Sequence, residues 1–325
     1  MKYVAGIGLC LILSLPAGHA SWEPDQTIDA APFKTKAASI VDHIGKENEK
    51  LGFGAMPSFN PKAQVYTDDD DVYYHVPKLL LKDERNGYTI TFLQPTRQLI
   101  DFANTHISHE LFESPPAKLY DQLPTPQWTP EHAIEISKQF LPLVFDRKDV
   151  TLGQPYAKYL HQFDHPPKHF TGFWRVGWPR VDTQGRPFMP FEDVWFNISE
   201  SRGVFYAQVH CPSSYQEKWG PVLKSDNVLA AAQKAAIQTT KWPLVAKWFQ
   251  NGKVDSTPRS VALGVVTPNH LLTSKEMLLK HDHDARLAWI FWFAWHLNDD
   301  PKQIKPVVVW IDAHTAEYLG GDVGM

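Results

Sequence analysis

The chain has 325 residues, with 32 Lys and Arg against 36 Asp and Glu and a formal net charge of −4. Its basic residues form no cluster, which argues against nucleic acid and anionic membrane surfaces as partners. The two cysteines are Cys10 and Cys211. Because Cys10 lies in a segment that we expect to be removed, no internal disulfide is expected, and packing must stabilise the fold. The 12 Trp and 18 Phe supply apolar area for that packing.

The first predicted element is an export signal over residues 1–20. Lys2 precedes an apolar run, Val4–Leu15, which is followed by Pro16 and by small residues that end at Ala20. This pattern is typical of a signal peptide cleaved after Ala20. The apolar run is shorter than the roughly 20 residues that a transmembrane helix needs. We therefore expect a secreted or periplasmic protein with no membrane span after cleavage.

Two proline-rich stretches, 114–130 and 211–221, resemble linkers. They divide the rest of the chain into segments 21–125, 126–220 and 221–325, each of about 100 residues, the usual size of a small domain. Each segment opens with an amphipathic helix pattern and continues with the alternation typical of strands. The sequence therefore predicts an α+β fold of three tandem repeats, each a helix packed on a roughly four-stranded antiparallel sheet.

Two elements have particularly clear signals. Thr129 precedes Pro130 and Glu131, which predicts that the second helix begins here with Thr129 as its N-cap. The run LAWIFWFAWHL at 287–297 is apolar on both faces. It is too short for a membrane helix, and it predicts a strand that is covered on both sides.

Each segment also closes with a pair of strands joined by a tight turn, at 88–102, 193–209 and 307–321. Aligning the three hairpins, with one extra residue in the middle copy, places three residues at the position before the turn: Leu93, Asn197 and Asp312.

The third hairpin resembles the end of a PepSY-type module, most closely the tandem YcdB/YcdC-like repeats of exported bacterial proteins. That family ends on a strand followed by Asp, two variable residues, Thr-Gly-Glu and another strand. Asp312, Thr315 and Glu317 match this motif, whereas Ala316 stands where the family has Gly. In such turns Asp and Thr accept hydrogen bonds from turn amides and the glycine adopts positive φ, so the alanine predicts a different turn geometry. The predicted structural turn residues are Asp312, Thr315, Glu317, Asn197 and Gly203.

The resemblance implies a PepSY/cystatin-like fold and a non-catalytic protein without a cofactor. PepSY-like modules occur in the propeptides of secreted metallopeptidases and as free-standing exported proteins. A protein or extended peptide in the exported compartment is therefore the implied partner, with a peptidase-regulating or envelope-associated role. An antiparallel sheet with a free edge strand can hold such a segment by strand pairing.

A metal-binding protein or metal-dependent hydrolase is the first alternative. His281 and His283 alternate along the chain, so in an extended segment they would share one face and bind a first-row metal, with Asp284 as an adjacent carboxylate. A solvated loop before the strand at 285 is the other interpretation of this stretch.

The trio Asp312, His314 and Glu317 also has acid–base chemistry. The first hairpin carries Leu93, Pro95 and Gln98 at the aligned positions. Because the trio is absent from this sister copy, we interpret it as part of a turn.

A polysaccharide-binding protein that stacks sugars on exposed aromatic rings is the second alternative. The aromatic residues of the second segment include Trp174, Trp178 and Trp195. Trp174 and Trp178 are the candidate contacts: their exposure on one flat face would support this function, and burial of both would exclude it. Core packing is the competing interpretation, because most aromatic side chains fill cores.

Overall fold

The structure is a computed structural model, and it describes residues 28–68, 77–112, 125–163, 170–189, 192–212, 214–215, 221–241, 246–268, 284–297 and 304–323. Within these residues the chain forms four α-helices and two largely antiparallel sheets, so the predicted α+β class is confirmed. None of the helices in this described part is long and apolar enough to cross a membrane.

The first helix, α1 (Ala31–Lys50), buries side chains at helical spacing, among them Ala37, Ile40 and Ile44. Four strands follow and pair in chain order as an antiparallel meander: β1 (Gln64–Asp68), β2 (Lys78–Asp83), β3 (Tyr88–Leu93) and β4 (Leu99–Asn104).

A short helix that the sequence did not predict, α2 (Thr105–Phe112), follows β4 directly. Asn104 Oδ1 accepts a hydrogen bond from the backbone N–H of Ile107 at 3.1 Å, which satisfies one free amide at the start of the helix.

The next helix, α3 (Pro130–Val144), begins as predicted, because Thr129 accepts a hydrogen bond from the backbone N–H of His132. The strands after it are β5 (Thr151–Leu152), β6 (Tyr156–Phe163), β7 (Phe170–Val181), β8 (Phe188–Met189), β9 (Asp193–Ser199), β10 (Gly203–His210) and β11 (Ser214–Tyr215).

The first two sets of strands form one continuous sheet, because β4 pairs antiparallel with β10. In the described residues this sheet has nine strands in the order β1-β2-β3-β4-β10-β9-β7, with β5 and β6 both beside β7. Helices α1 and α3 pack on one face, here called the helix face, in a core that includes Phe92, Phe102 and Phe196. On the opposite face, the outer face, Phe173 and Phe205 pack edge to face, and α2 contacts the strands that carry them.

The last helix, α4 (Ser225–Thr239), packs its small side chains Ala232, Ala235 and Ala236 on the second sheet. The strands that follow are β12 (Gly252–Val254), β13 (Ser260–Val266), β14 (Asp284–Leu297), β15 (Ile304–Asp312) and β16 (Tyr318–Val323). The apolar run at 287–297 forms most of β14, which lies between β13 and β15, so its prediction as a strand is confirmed.

The two sheets meet at β8, which pairs with β13 through Phe188 and Met189. Beside this pairing, Arg180 Nη1 and Glu192 Oε2 form an ion pair at 2.6 Å, with only 5% and 4% of their side chains exposed. The Arg180 guanidinium lies 4.0 Å from the centre of the Phe188 ring. Thr267, just after β13, donates from Oγ1 to Glu192 Oε1 at 3.5 Å. The buried ion pair therefore ties the second sheet to the first.

Candidate functional site

The turn between β15 and β16 holds the trio of residues with acid–base chemistry. Asp312 Oδ1 accepts hydrogen bonds from the backbone N–H groups of His314 and Thr315, both at 2.8 Å. Its Oδ2 pairs with Arg286 of β14 at 2.7 Å. Burial opposes ionisation of Asp312, but the two amide hydrogen bonds and Arg286 outweigh burial and hold the pKa of Asp312 below its usual value. Asp312 is thus an ionised turn residue at neutral pH.

The other two members of the trio also have structural partners. Glu317 Oε2 pairs with Arg286 Nη1 at 2.8 Å, and the Glu317 backbone N–H donates to Thr315 Oγ1. His314 Nδ1 lies 3.1 Å from the carbonyl oxygen of Pro221. These contacts favour a structural turn over an acid–base site.

The turns that close the three hairpins share one backbone geometry. In each, the fourth residue after the strand has a positive φ: 55° at Arg97, 73° at Gly203 and 62° at Ala316. Arg97 donates its backbone N–H to the Leu93 carbonyl, as Ala316 donates to that of Asp312. The expectation that Ala316 imposes a different turn geometry is therefore wrong, because the alanine adopts the left-handed conformation.

The same geometry corrects the alignment of the middle hairpin. Four residues before Gly203 lies Ser199, whose Oγ accepts a backbone hydrogen bond from two residues on, as Asp312 does in the third turn. No extra residue is present. Asn197 lies two positions earlier within β9, where its Oδ1 accepts a hydrogen bond from Arg175 Nε at 3.2 Å. The sequence alignment paired Asn197 with Asp312 because their side chains are similar, whereas the position of the positive-φ residue determines which residues of the two turns correspond.

Replacing Ala316 by glycine is expected to stabilise the protein by about 1 kcal/mol, because a left-handed alanine has a steric cost that glycine lacks. Urea unfolding followed by Trp fluorescence would show a higher midpoint with an unchanged slope. Gly203→Ala is the matched control and is expected to destabilise, since the added Cβ would lie 2.1 Å from Asn48 Oδ1. A less stable Ala316→Gly variant would contradict the steric argument.

Two of the three residues predicted to bind a metal ion, His281 and His283, lie outside the described part of the chain. Asp284 is the first residue of β14, and its backbone pairs with Ser214 of β11. Among the described residues, no group of three His, Cys, Asp or Glu side chains is placed to hold a metal ion. A metal site at His281, His283 and Asp284 stays a prediction.

Trp174 and Trp178 are buried on the helix face, with 3% and 9% of their surface exposed. Trp178 Nε1 donates to Ser137 Oγ of α3 at 3.1 Å, and Trp174 Nε1 donates to Glu200 at 2.8 Å. Alternation along β7 puts both tryptophans on one face, and α3 covers that face. The prediction that these two residues stack sugars is therefore wrong.

A different set of aromatic and charged side chains lies on the outer face of the same strands. Because successive side chains of a strand alternate between faces, residues adjacent to the buried ones point outward. We name the following residues the outer-face cluster: Tyr156 of β6, Arg175 of β7, Asp193, Trp195 and Asn197 of β9, and Tyr206 of β10. The sequence indicated Trp195 as an aromatic candidate, but alternation alone does not reveal which face the helices cover.

Three members of the outer-face cluster form a layered column. Trp195 stacks on Tyr206 with 4.8 Å between ring centres, and the Arg175 guanidinium lies 4.2 Å from the centre of the Trp195 ring. Asn197 accepts a hydrogen bond from Arg175, and the Tyr206 hydroxyl donates to Asp101 of β4 at 2.9 Å. Both ends of the column are thus fixed by their own hydrogen bonds, which makes it a rigid surface.

Tyr156 is 45% exposed. It pairs with Gly177 of β7, and its ring lies across this glycine, since a Cβ added to Gly177 would be 2.4 Å from Tyr156 Cζ. The Tyr156 hydroxyl lies 3.3 Å from Asp193 Oδ2, to which it donates. The missing side chain at Gly177 therefore lets the tyrosine reach from β6 to β9.

Asp193 is the most unusual charged group of the outer-face cluster. The residue is only 8% exposed, and within the described residues its carboxylate accepts one side-chain hydrogen bond, the long one from Tyr156. Burial raises the pKa of Asp193 to about 6, while the Tyr156 hydrogen bond and the attraction of Arg175 lower it only in part. A carboxyl group perturbed in this way beside exposed aromatic surface is a candidate functional group.

Strand β6 forms an edge of the nine-stranded sheet. In the part of the chain that the structure describes, it pairs only with β7, from Tyr156 opposite Gly177 to Phe163 opposite Phe170. An edge strand presents backbone N–H and C=O groups on its outer side that can pair with another strand. A hydrogen-bonding edge therefore runs directly beside the outer-face cluster.

Cys211, the cysteine outside the predicted signal segment, is buried. Burial and the nearby negative charge of Glu192 raise the pKa of its thiol to about 12. The thiol is protonated at neutral pH, which makes it a poor nucleophile.

No protein-family model and no curated protein sequence matches the chain. Among solved structures, it is similar to the C-terminal domain of YpeB from Bacillus megaterium, with 12% sequence identity and a TM-score of 0.38. That match covers 92% of this chain and 98% of the other.

Proposed function

We propose that the chain is a non-catalytic binding module that holds an extended protein segment along β6 and over the adjacent outer-face cluster. The observation that carries this proposal is the eight-residue edge strand β6, Tyr156–Phe163, beside exposed Tyr156 and the rigid column on Trp195. Main-chain hydrogen bonds to an edge strand provide affinity for an extended peptide, and neighbouring side chains provide specificity.

The surroundings of the side chains with potentially reactive groups support the proposal that the module is non-catalytic. Asp312 and Glu317 are both paired with Arg286 in a turn, and the thiol of Cys211 is buried and protonated. Each of these groups has a structural environment that works against nucleophilic or acid–base chemistry.

The proposed module consists of three related PepSY-like units, 21–125, 126–220 and 221–325, after a signal peptide of residues 1–20 that directs export. Two observations support this organisation. Helices α1, α3 and α4 each precede a set of antiparallel strands, and each set ends in a hairpin with a positive-φ residue at the fourth turn position.

Proline substitutions in β6 are expected to show whether peptide binding depends on strand pairing with β6 rather than on general contact with the surface. Lys158 and His161 are exposed and three residues apart, so their backbone N–H groups point to opposite sides of the strand. One of the variants Lys158→Pro and His161→Pro therefore removes a hydrogen bond to β7 and unfolds more easily. The other replaces a backbone N–H that points away from β7, which an edge strand tolerates.

The probe is a set of synthetic dodecapeptides chosen by phage display on the purified protein, with affinities measured by fluorescence anisotropy. The proline variant that keeps the wild-type melting temperature is expected to bind them about tenfold more weakly, the equivalent of one lost hydrogen bond. The proposal fails if no peptide is enriched, or if that variant binds the peptides as tightly as the wild type.

A further inference from the structure

Among the described residues, Asp193 has fewer hydrogen-bonding partners than a buried carboxylate normally has. Ionised carboxylates in proteins are typically stabilised by several donors or by a cation, because desolvation without compensation is costly. Here the Tyr156 hydroxyl is the single side-chain donor among the described residues, and at 3.3 Å it makes a long hydrogen bond. For comparison, Asp312 accepts two amide hydrogen bonds at 2.8 Å and pairs with Arg286.

The groups that face Asp193 come from three neighbouring strands. Tyr156 approaches from β6, Arg175 from β7, and His210 of β10 lies directly opposite in the sheet. Cys211 donates its thiol hydrogen to the backbone carbonyl of Asp193, with 3.9 Å between Sγ and the oxygen. Arg175 stacks on Trp195 and donates to the neighbouring Asn197 side chain, and its attraction lowers the pKa of Asp193 less than burial raises it.

We infer that Asp193 binds the ammonium or guanidinium group of a lysine or arginine side chain in the extended segment held at this surface. This inference rests on the proposed function and defines the chemistry of its partner. The cation would supply the donors that the carboxylate lacks, and burial would strengthen the resulting ion pair relative to one in water.

Geometry favours a long cationic side chain over other donors. Strand β9 lies two strands inward from β6, and a segment paired with the β6 edge would lie one spacing further out, about 14 Å from β9 at the usual spacing. The cationic side chain must therefore come from the part of the segment that crosses the outer-face cluster and must pass the exposed ring of Tyr156. Lysine and arginine have long side chains, and their cationic groups are attracted to aromatic faces.

The experiment uses n-butylguanidinium chloride as the probe, with n-butanol as the uncharged control, and follows the indole N–H of Trp195 by NMR. Butylguanidinium is expected to shift this resonance saturably at pH 8, whereas butanol leaves it unchanged. Binding at pH 5 should be about tenfold weaker, because only about one tenth of Asp193 is ionised there if its pKa is about 6.

Asp193→Asn is expected to abolish this binding, and Asp42→Asn is the matched control. Asp42 is exposed on α1, which packs on the helix face, so the control removes the same charge without touching the column that reports binding. The pH comparison is repeated on Asp193→Asn to detect any contribution from the neighbouring His210, because histidines titrate in this range. Equal losses in both variants, or equal shifts with butanol, would overturn the inference. If butylguanidinium binds but no peptide binds, Asp193 remains a cation-binding site and only the proposed function is contradicted.

Discussion

Glu192→Gln is expected to lower the free energy of unfolding by about 3–5 kcal/mol, the usual cost of removing one charge from a buried ion pair. The substitution keeps the shape of the side chain but removes the negative charge that pairs with the buried Arg180 guanidinium. It also weakens the hydrogen bond from Thr267, which joins the second sheet to this site. Urea unfolding monitored by Trp fluorescence, in wild type and variant, measures the loss directly.

The double variant Arg180→Met with Glu192→Leu tests the physical reason for that loss. Replacing both charges by apolar groups of similar volume leaves no unpaired charge, so the double variant should be more stable than Glu192→Gln. A loss below about 1 kcal/mol for Glu192→Gln would mean that the pair is better hydrated than its 5% and 4% exposure indicates.

Asp193→Asn is expected to stabilise the protein at neutral and alkaline pH, by up to about 3 kcal/mol. The pKa of Asp193 is raised from 3.8 to about 6 in the folded protein, and each pKa unit corresponds to about 1.36 kcal/mol. For a raised pKa, the stabilisation is fully present below the unfolded value of 3.8 and is lost as the pH rises through 6. Asparagine keeps the hydrogen bond with Tyr156 and removes the cost of the buried charge.

The measurement compares unfolding free energies of wild type and Asp193→Asn between pH 4 and pH 8. The difference between the two proteins should grow across this window and level off above about pH 7, while contributions from other titrating groups cancel. A constant difference would show that Asp193 is ionised throughout. A stabilising substitution at a binding residue is also the expected sign of a group kept for function at the expense of stability.

Local features of the fold are readable from the sequence because they depend on a few adjacent residues. Thr129 caps α3 as predicted since its hydroxyl needs only the amides of the next turn. The apolar run of β14 identified a strand between two others. The pairing of β4 with β10 was not readable, because strand neighbours far apart in the chain are decided by which edges are left unpaired.

The candidate site was harder to predict because it depends on which sheet face the helices cover. The sequence shows that Trp174 and Trp178 share one face and that Arg175 and Gly177 share the other. It does not show that α3 packs on the tryptophans. The role of Gly177 was also not predictable from the sequence. The ring that occupies the space of its missing side chain is that of Tyr156, which comes from another strand.

The pairing of β4 with β10 also has a consequence for how the chain folds. Ala103 and Tyr206 are partners about a hundred residues apart, and contacts of such long sequence separation form slowly because a large loop must close first. The hairpins β3–β4 and β9–β10 are local and can form early. Until they meet, both β4 and β10 present an uncovered edge to other chains, so this seam is where association between partly folded molecules should begin.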